Sequence, residues 1–299
     1  MVVFEQVFIL FVFVLSGYGL SKAKILDSSH SKVLSGLLVY VFGPCLTFQT
    51  MAGRFNKENL SSHFQMILAS LILLAVLAVF AILLARVLTQ HPYQRHIYSY
   101  SLIVPNFGYM GYALVAALYG QEGLFQFMIF CIPLSFYVYI IGFNTLTKRP
   151  MNLRGLLNPS VVALVLGCMA GLLDLPIPAL VTDILDKSGA CMAPVSMILA
   201  GMVISQFPLK NMFKGWRIYL TAALRLILLP LVIGAAATTI WGKTIGSYAV
   251  LVYCLPCGLN TIVYPKLVNE DCEIGASLAC VTNLLACVTI PIVIWIFGM

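Results

Sequence analysis

Ser101-Leu102-Ile103-Val104-Pro105-Asn106-Phe107-Gly108-Tyr109-Met110-Gly111-Tyr112-Ala113 is the stretch on which the reading of this chain turns. A proline, an asparagine and two glycines fall within seven residues near the middle of an otherwise apolar segment. Proline removes an amide and collides with the preceding turn, and glycine opens backbone shapes closed to other residues, so a helix here is predicted to be broken. A second stretch, Cys254-Leu255-Pro256-Cys257-Gly258-Leu259-Asn260-Thr261, carries the same ingredients.

The surroundings say in what solvent these breaks sit. Of 299 residues 61% are hydrophobic and 9% charged, and the mean hydropathy is +1.01. A soluble domain carries roughly 25% charged residues, so a soluble globular protein is excluded and the lipid bilayer becomes the chain's partner. Apolar stretches run over about 3–20, 33–52, 64–88, 97–119, 123–146, 158–174, 189–207, 216–240, 245–265 and 275–297. At ~20 residues per span the chain reads as an all-α polytopic membrane protein of ten transmembrane helices, with the fourth and ninth broken. No room is left for an appended soluble domain.

Charge sets the orientation. No basic residue precedes the first span, and Lys22 and Lys24 follow it, so that span is expected to stay as an anchor with its N-terminus outside. Lys22, Lys24, Lys32, Arg86, Arg95, Lys148, Arg149, Arg154, Lys210, Lys214, Arg217 and Lys266 then fall on the cytoplasmic side. Arg54, Lys57, Lys187 and Lys243 fall outside, a positive-inside bias that puts both termini outside.

The helix breakers recur at nearly one offset. Pro44 and Pro194 are 150 residues apart in the second and seventh spans, and Pro105 and Pro256 are 151 apart in the fourth and ninth. Five spans per half is an odd number, so the second copy enters the membrane upside down. The expectation is two inverted five-helix repeats, 1–149 and 150–299, as in transporters of that construction.

Nonhelical backbone at membrane depth is tolerated only against protein or a water-filled cavity. The half-helix that follows each break directs a partial positive charge inward. Asn106 and Asn260 add side-chain donors and acceptors, so the two breaks, with Pro105, Gly108, Gly111, Pro256 and Gly258, are the predicted substrate site. The other reading is a pair of kinks whose asparagines cap their own half-helices. Arg225 lies within the eighth span, roughly 12 Å deep at 1.5 Å per residue. It could attract an anion, bind the freed backbone of a crossover, or snorkel. Asp and Glu are absent near the breaks, which argues against a carboxylate proton relay or sodium site and for a small organic anion, a carboxylate. Gln49, Asn144 and Asn283 read as glue between helices, and Gly167-x-x-x-Gly171 as a packing signal.

No enzyme is indicated. Gly242-Lys243-Thr244 ends like a P-loop, but Ala237 stands where its first glycine belongs. His30, His63, His91 and His96 lie at loops or span edges without metal-ligand spacing, as solvated histidines do. No Ser or Cys with His forms a nucleophile and base at matched depth. Eight of the nine cysteines fall in apolar runs, where a thiol is a small hydrophobe, and Cys254-x-x-Cys257 brackets a proline in a span. The net charge of +7 is scattered among loops, so nucleic acid is not a partner. Cofactors are not called for, and a homodimer is compatible with the sequence. Two rival functions stand beside the carrier: a membrane sensor that binds without transport, and a sodium-coupled symporter.

The run Leu102-Ile103-Val104-Pro105-Asn106 with Gly111 and Tyr119-Gly120, together with Leu255-Pro256-Cys257-Gly258 and Ile290-Pro291, resembles the auxin efflux carrier family. The resemblance implies ten helices in two inverted repeats, related in architecture to bile-acid sodium symporters, with the fourth and ninth helices crossing at their breaks. It implies that Asn106 contacts substrate and that Arg225 and Pro230 match an Arg and a Pro of the eighth helix. Members of this length resemble permeases for malonate, malate and similar anions in the bacterial cytoplasmic membrane, a plasma membrane. Ala113 and Thr261 stand where plant carriers have second prolines, which makes auxin itself a doubtful substrate.

Overall fold

The computed structural model describes residues 2–57, 60–150, 156–208 and 212–299. Arg154 and Lys210, counted above among the cytoplasmic charges, lie outside the described residues. The described chain is helical. It comprises α1 (Val2–Lys22), α2 (Ser29–Ala52), α3 (Leu60–Leu88), α4 (Pro92–Ile103), α5 (Phe107–Phe130), α6 (Ile132–Leu146), α7 (Pro159–Leu172), α8 (Ala179–Ser205), α9 (Trp216–Trp241), α10 (Lys243–Tyr253), α11 (Asn260–Lys266) and α12 (Glu273–Ile296).

Seven of these, α1, α2, α3, α5, α8, α9 and α12, are long and apolar enough to cross a membrane unaided. The expected fourth and ninth spans are absent from that set because no uninterrupted 18-residue window exists across Val104–Asn106 or across 254–259. The expected fifth span is divided at Cys131, ahead of Pro133. Within α5 the chain also turns at Gly120, whose φ of 66° and ψ of −164° belong to a region that is essentially glycine-only. The stretch between the expected sixth and seventh spans is largely helix: Ala179–Ala190 forms the first part of α8 and carries Asp183, Asp186 and Lys187 ahead of the apolar run.

Proline shapes the long helices without breaking them. In α2 the turn Leu38–Phe42 widens to π geometry just ahead of Pro44, and in α9 Leu224–Leu228 does so ahead of Pro230. The widened turn moves aside the carbonyl four residues back that the pyrrolidine ring would strike.

Two layers result. In one, α1 packs along α8 and α2 along α7, with the first part of α8 against α2. In the other, α3 packs on α4, α9 on α10, and α12 against α9 and α4. Glycines let backbones meet in the first layer. A Cβ on Gly201 would lie 1.9 Å from the Val14 carbonyl oxygen, and one on Gly17 would lie 2.0 Å from that of Ile198. The Gly167-x-x-x-Gly171 signal is used the same way, with Gly171 closing on the Phe55 carbonyl oxygen. Gly201→Val should force α1 and α8 apart at about 1–3 kcal/mol, read as a lower melting temperature in detergent; Ala200→Val, off this contact in sequence terms but equally buried, is the comparison. Outward, Val87, Leu157 and Trp295 are among many large apolar side chains left exposed, as a lipid solvent allows.

Candidate substrate site at two interrupted helices

After Ile103 the chain leaves helical geometry, and Val104 is extended with φ −103° and ψ 108°. After Tyr253 it leaves it again, until Asn260. The two interruptions meet. Pro105 and Cys257 form an isolated antiparallel bridge, the Asn106 amide donates to the Pro256 carbonyl at 2.8 Å, and the Gly258 amide donates to the Val104 carbonyl at 3.3 Å. Peptide groups freed by two prolines in different parts of the chain thus satisfy each other, as buried backbone must.

Arg225, in the π turn of α9, is fully buried. Its Nη1 donates to the Leu102 carbonyl at 2.8 Å and its Nε to the Leu255 carbonyl at 3.2 Å, one on each side of the bridge. The guanidinium carbon stands 5.8 Å from the centre of the Tyr253 ring. Two of its N–H groups thus bind freed backbone, and complete burial leaves no room for snorkelling. Its Nη2 has no acceptor.

The asparagines do not cap their half-helices. Asn106 is 3% exposed and its Nδ2 has no partner, while its backbone carbonyl accepts from the amides of Met110 and Gly111. Asn260 instead donates its Nδ2 to the Tyr100 hydroxyl at 2.9 Å. Pro105, Asn106, Pro256, Gly258 and Arg225 are therefore drawn together, with Asn260 reached through Tyr100. Gly108 faces open space, whereas a Cβ on Gly111 would press on Leu255 at 2.7 Å and Phe127 at 3.0 Å, so Gly111 serves packing. The half-helix after the second break, α11, is only seven residues long, so its dipole is the weaker of the two.

Sequence reasoning passed over four residues here. Thr282 of α12 accepts from the Cys257 amide at 3.1 Å while donating to the Leu278 carbonyl at 2.6 Å. Ser101 offers its carbonyl to the Cys257 thiol. Tyr100 holds Asn260, and Tyr137 tilts against it at 6.4 Å between ring centres. Only the clustering of tyrosines in 98–112 and 137–139 hinted at this lining. A groove of about 680 Å³ lies elsewhere, at the start of α4 and the end of α6. Its cations are occupied, since Lys148 pairs with Glu270 and sits over Tyr93, and Arg149 sits over Phe143. Two unpartnered amide or guanidinium donors, Asn106 Nδ2 and Arg225 Nη2, are beside the bridge.

The sequence family model described as membrane transport protein matches residues 2–154 and 147–294. The chain belongs to this family, that of the auxin efflux carriers. An uncharacterized transporter of Methanocaldococcus jannaschii is 24% identical to it over 99% of both chains. The protein is accordingly a multi-pass membrane transporter and not an enzyme. The bridge, the clamp of Arg225 and the unpartnered Nδ2 of Asn106 are therefore found in a member of that family.

Proposed function

We propose that this protein is a secondary transporter that moves a small organic anion, a carboxylate, across the plasma membrane by alternating access, binding it where the interrupted helices meet. One observation carries the reading: Asn106 Nδ2 and Arg225 Nη2 are buried N–H donors without a protein acceptor beside the bridge. An unsatisfied buried donor costs about 1–3 kcal/mol, and an anion entering with acceptor oxygens would relieve both. Among the described residues no Asp or Glu is buried, so nothing there repels it.

In this reading α4 with the first part of α5, and α10 with α11, are the broken fourth and ninth helices of ten crossings, with both termini outside. Two inverted repeats, 1–149 and 150–299, account for the matched packing of α1 on α8 with α7 on α2, and of α3 on α4 with α9 on α10. They also account for Pro44 and Pro194 standing at the bends of α2 and α8.

The test is uptake of radiolabelled mono- and dicarboxylates into proteoliposomes. Time-dependent flux of one of them, undiminished when sodium is replaced by potassium, is the expected result. Binding without flux would make the protein a sensor, and flux that requires sodium would move the coupling to that ion.

A further inference from the structure

His63 departs most from what its place in the sequence suggests. Expected at a solvated span edge, it is 1% exposed, and with Arg225 it makes up the ionisable His, Lys, Arg, Asp or Glu side chains buried among the described residues. Arg225 donates to two carbonyls; His63 does nothing comparable, for neither Nδ1 nor Nε2 has a hydrogen-bond partner. The imidazole is held between two phenyl rings, stacked on Phe55 at 5.4 Å and edge-on to Phe125 at 5.1 Å, and those rings approach each other at 6.5 Å.

The three rings come from three places. Phe55 follows α2, His63 is in the first turn of α3, and Phe125 is in the second part of α5. Beside the cage, Arg54 Nε and Glu122 Oε2 form an ion pair at 3.5 Å. Arg54 is adjacent to Phe55 in sequence, and Glu122 is one helical turn before Phe125. The cage and the ion pair therefore join the same two partners, the end of α2 and the α5 segment. Among the described residues, the charged and titratable groups near the ring are Glu122, which is within electrostatic reach of it, Arg54, Lys57 on the same loop, Tyr248, which lies near Glu122, and Tyr119, which lies near Tyr248.

We propose that His63 is a reversible proton-binding site that controls this contact on the outer face. A neutral imidazole fits the apolar cage at the expense of one unsatisfied donor and one unsatisfied acceptor. An imidazolium is favoured by the ring faces and by Glu122 but disfavoured by burial. Binding the proton therefore draws Glu122 away from Arg54 or draws the ring outward to water, and either movement loosens α2 from α5. By linkage, a proton that binds better to the loosened arrangement favours that arrangement as pH falls. The inference rests on the transporter reading only for the side of the membrane assigned to the proton.

The test uses the full chain in nanodiscs and needs no substrate. Amide hydrogen exchange is followed over residues 50–57 and 118–128 from pH 5 to pH 8, corrected for the intrinsic pH dependence of exchange. The expected result is a several-fold rise in corrected exchange at low pH in the wild type and a flat profile in His63→Phe, which fills the cage without titrating. Glu122→Gln removes the attracting carboxylate and should lower the midpoint, since a nearby opposite charge favours the charged imidazolium. A flat wild-type profile, or a titration that persists unchanged in His63→Phe, overturns the proposal. Should His63→Phe fail to fold, an unmoved midpoint in Glu122→Gln overturns it as well. None of these outcomes bears on whether an anion binds at the bridge.

Discussion

Arg225→Met is expected to lower the apparent melting temperature of the detergent-solubilised protein by roughly 6–15 °C and to abolish any transport activity. The arginine donates to the carbonyls of Leu102 and Leu255, in a site with no access to water. A hydrogen bond to a charged group contributes about 1.5–3 kcal/mol, and a carbonyl stranded without a donor is the costly outcome. Two stranded carbonyls give about 3–5 kcal/mol, and for a chain of this size each kcal/mol moves the melting temperature by about 2–3 °C. Arg225→Lys should recover half of the loss at most, because one ammonium lacks the planar fork that reaches both acceptors. An unchanged melting temperature in Arg225→Met would mean that the bridge holds itself, and the clamp would have to be abandoned.

Asn106→Ala should leave the fold intact and weaken anion binding by about 10- to 100-fold, the equivalent of one hydrogen bond to a charged ligand. Its Nδ2 has no hydrogen-bond partner within the protein, so the unliganded melting temperature is expected to stay put. Asn106→Asp should be worse for binding than alanine, since it sets a carboxylate where the anion's oxygens belong. Ligand-dependent thermal stabilisation across a panel of mono- and dicarboxylates reads both variants, because stabilisation follows occupancy. Equal stabilisation in wild type and Asn106→Ala would remove this asparagine from the site.

What the sequence revealed depended on the range of the physics involved. Pro105 with Gly108, and Pro256 with Gly258, act on their own peptide neighbours, so the interruptions could be located from local chemistry alone. The apolar runs likewise placed the long helices, because lipid exposure is a property of composition. Arg225 was ambiguous for the opposite reason: its acceptors lie 123 and 30 residues away, and nothing near position 225 says which carbonyls two remote prolines have freed. Gly111 looked like its neighbour Gly108 and differs only in what packs opposite, Leu255 in one case and open space in the other. Tyr100 reads in sequence as one more aromatic in an apolar segment. His63 misled because a polar residue at a span edge is assumed to find water, whereas the loop after α2 folds Phe55 over it.

The short bridge between Pro105 and Cys257 has one more consequence. It is made of main chain, and Arg225 and Thr282 grip main chain as well, so the contact between the two interruptions uses none of the side chains at 107–112. If the proposed site is right, exchanging residues beside Gly108 should admit a larger or differently charged cargo while the bridge keeps its shape. Re-engineering selectivity in this protein is therefore a problem separable from keeping the bridge intact, and Tyr109 and Tyr112, half-buried and close to Gly108 in sequence, are where such an effort should begin.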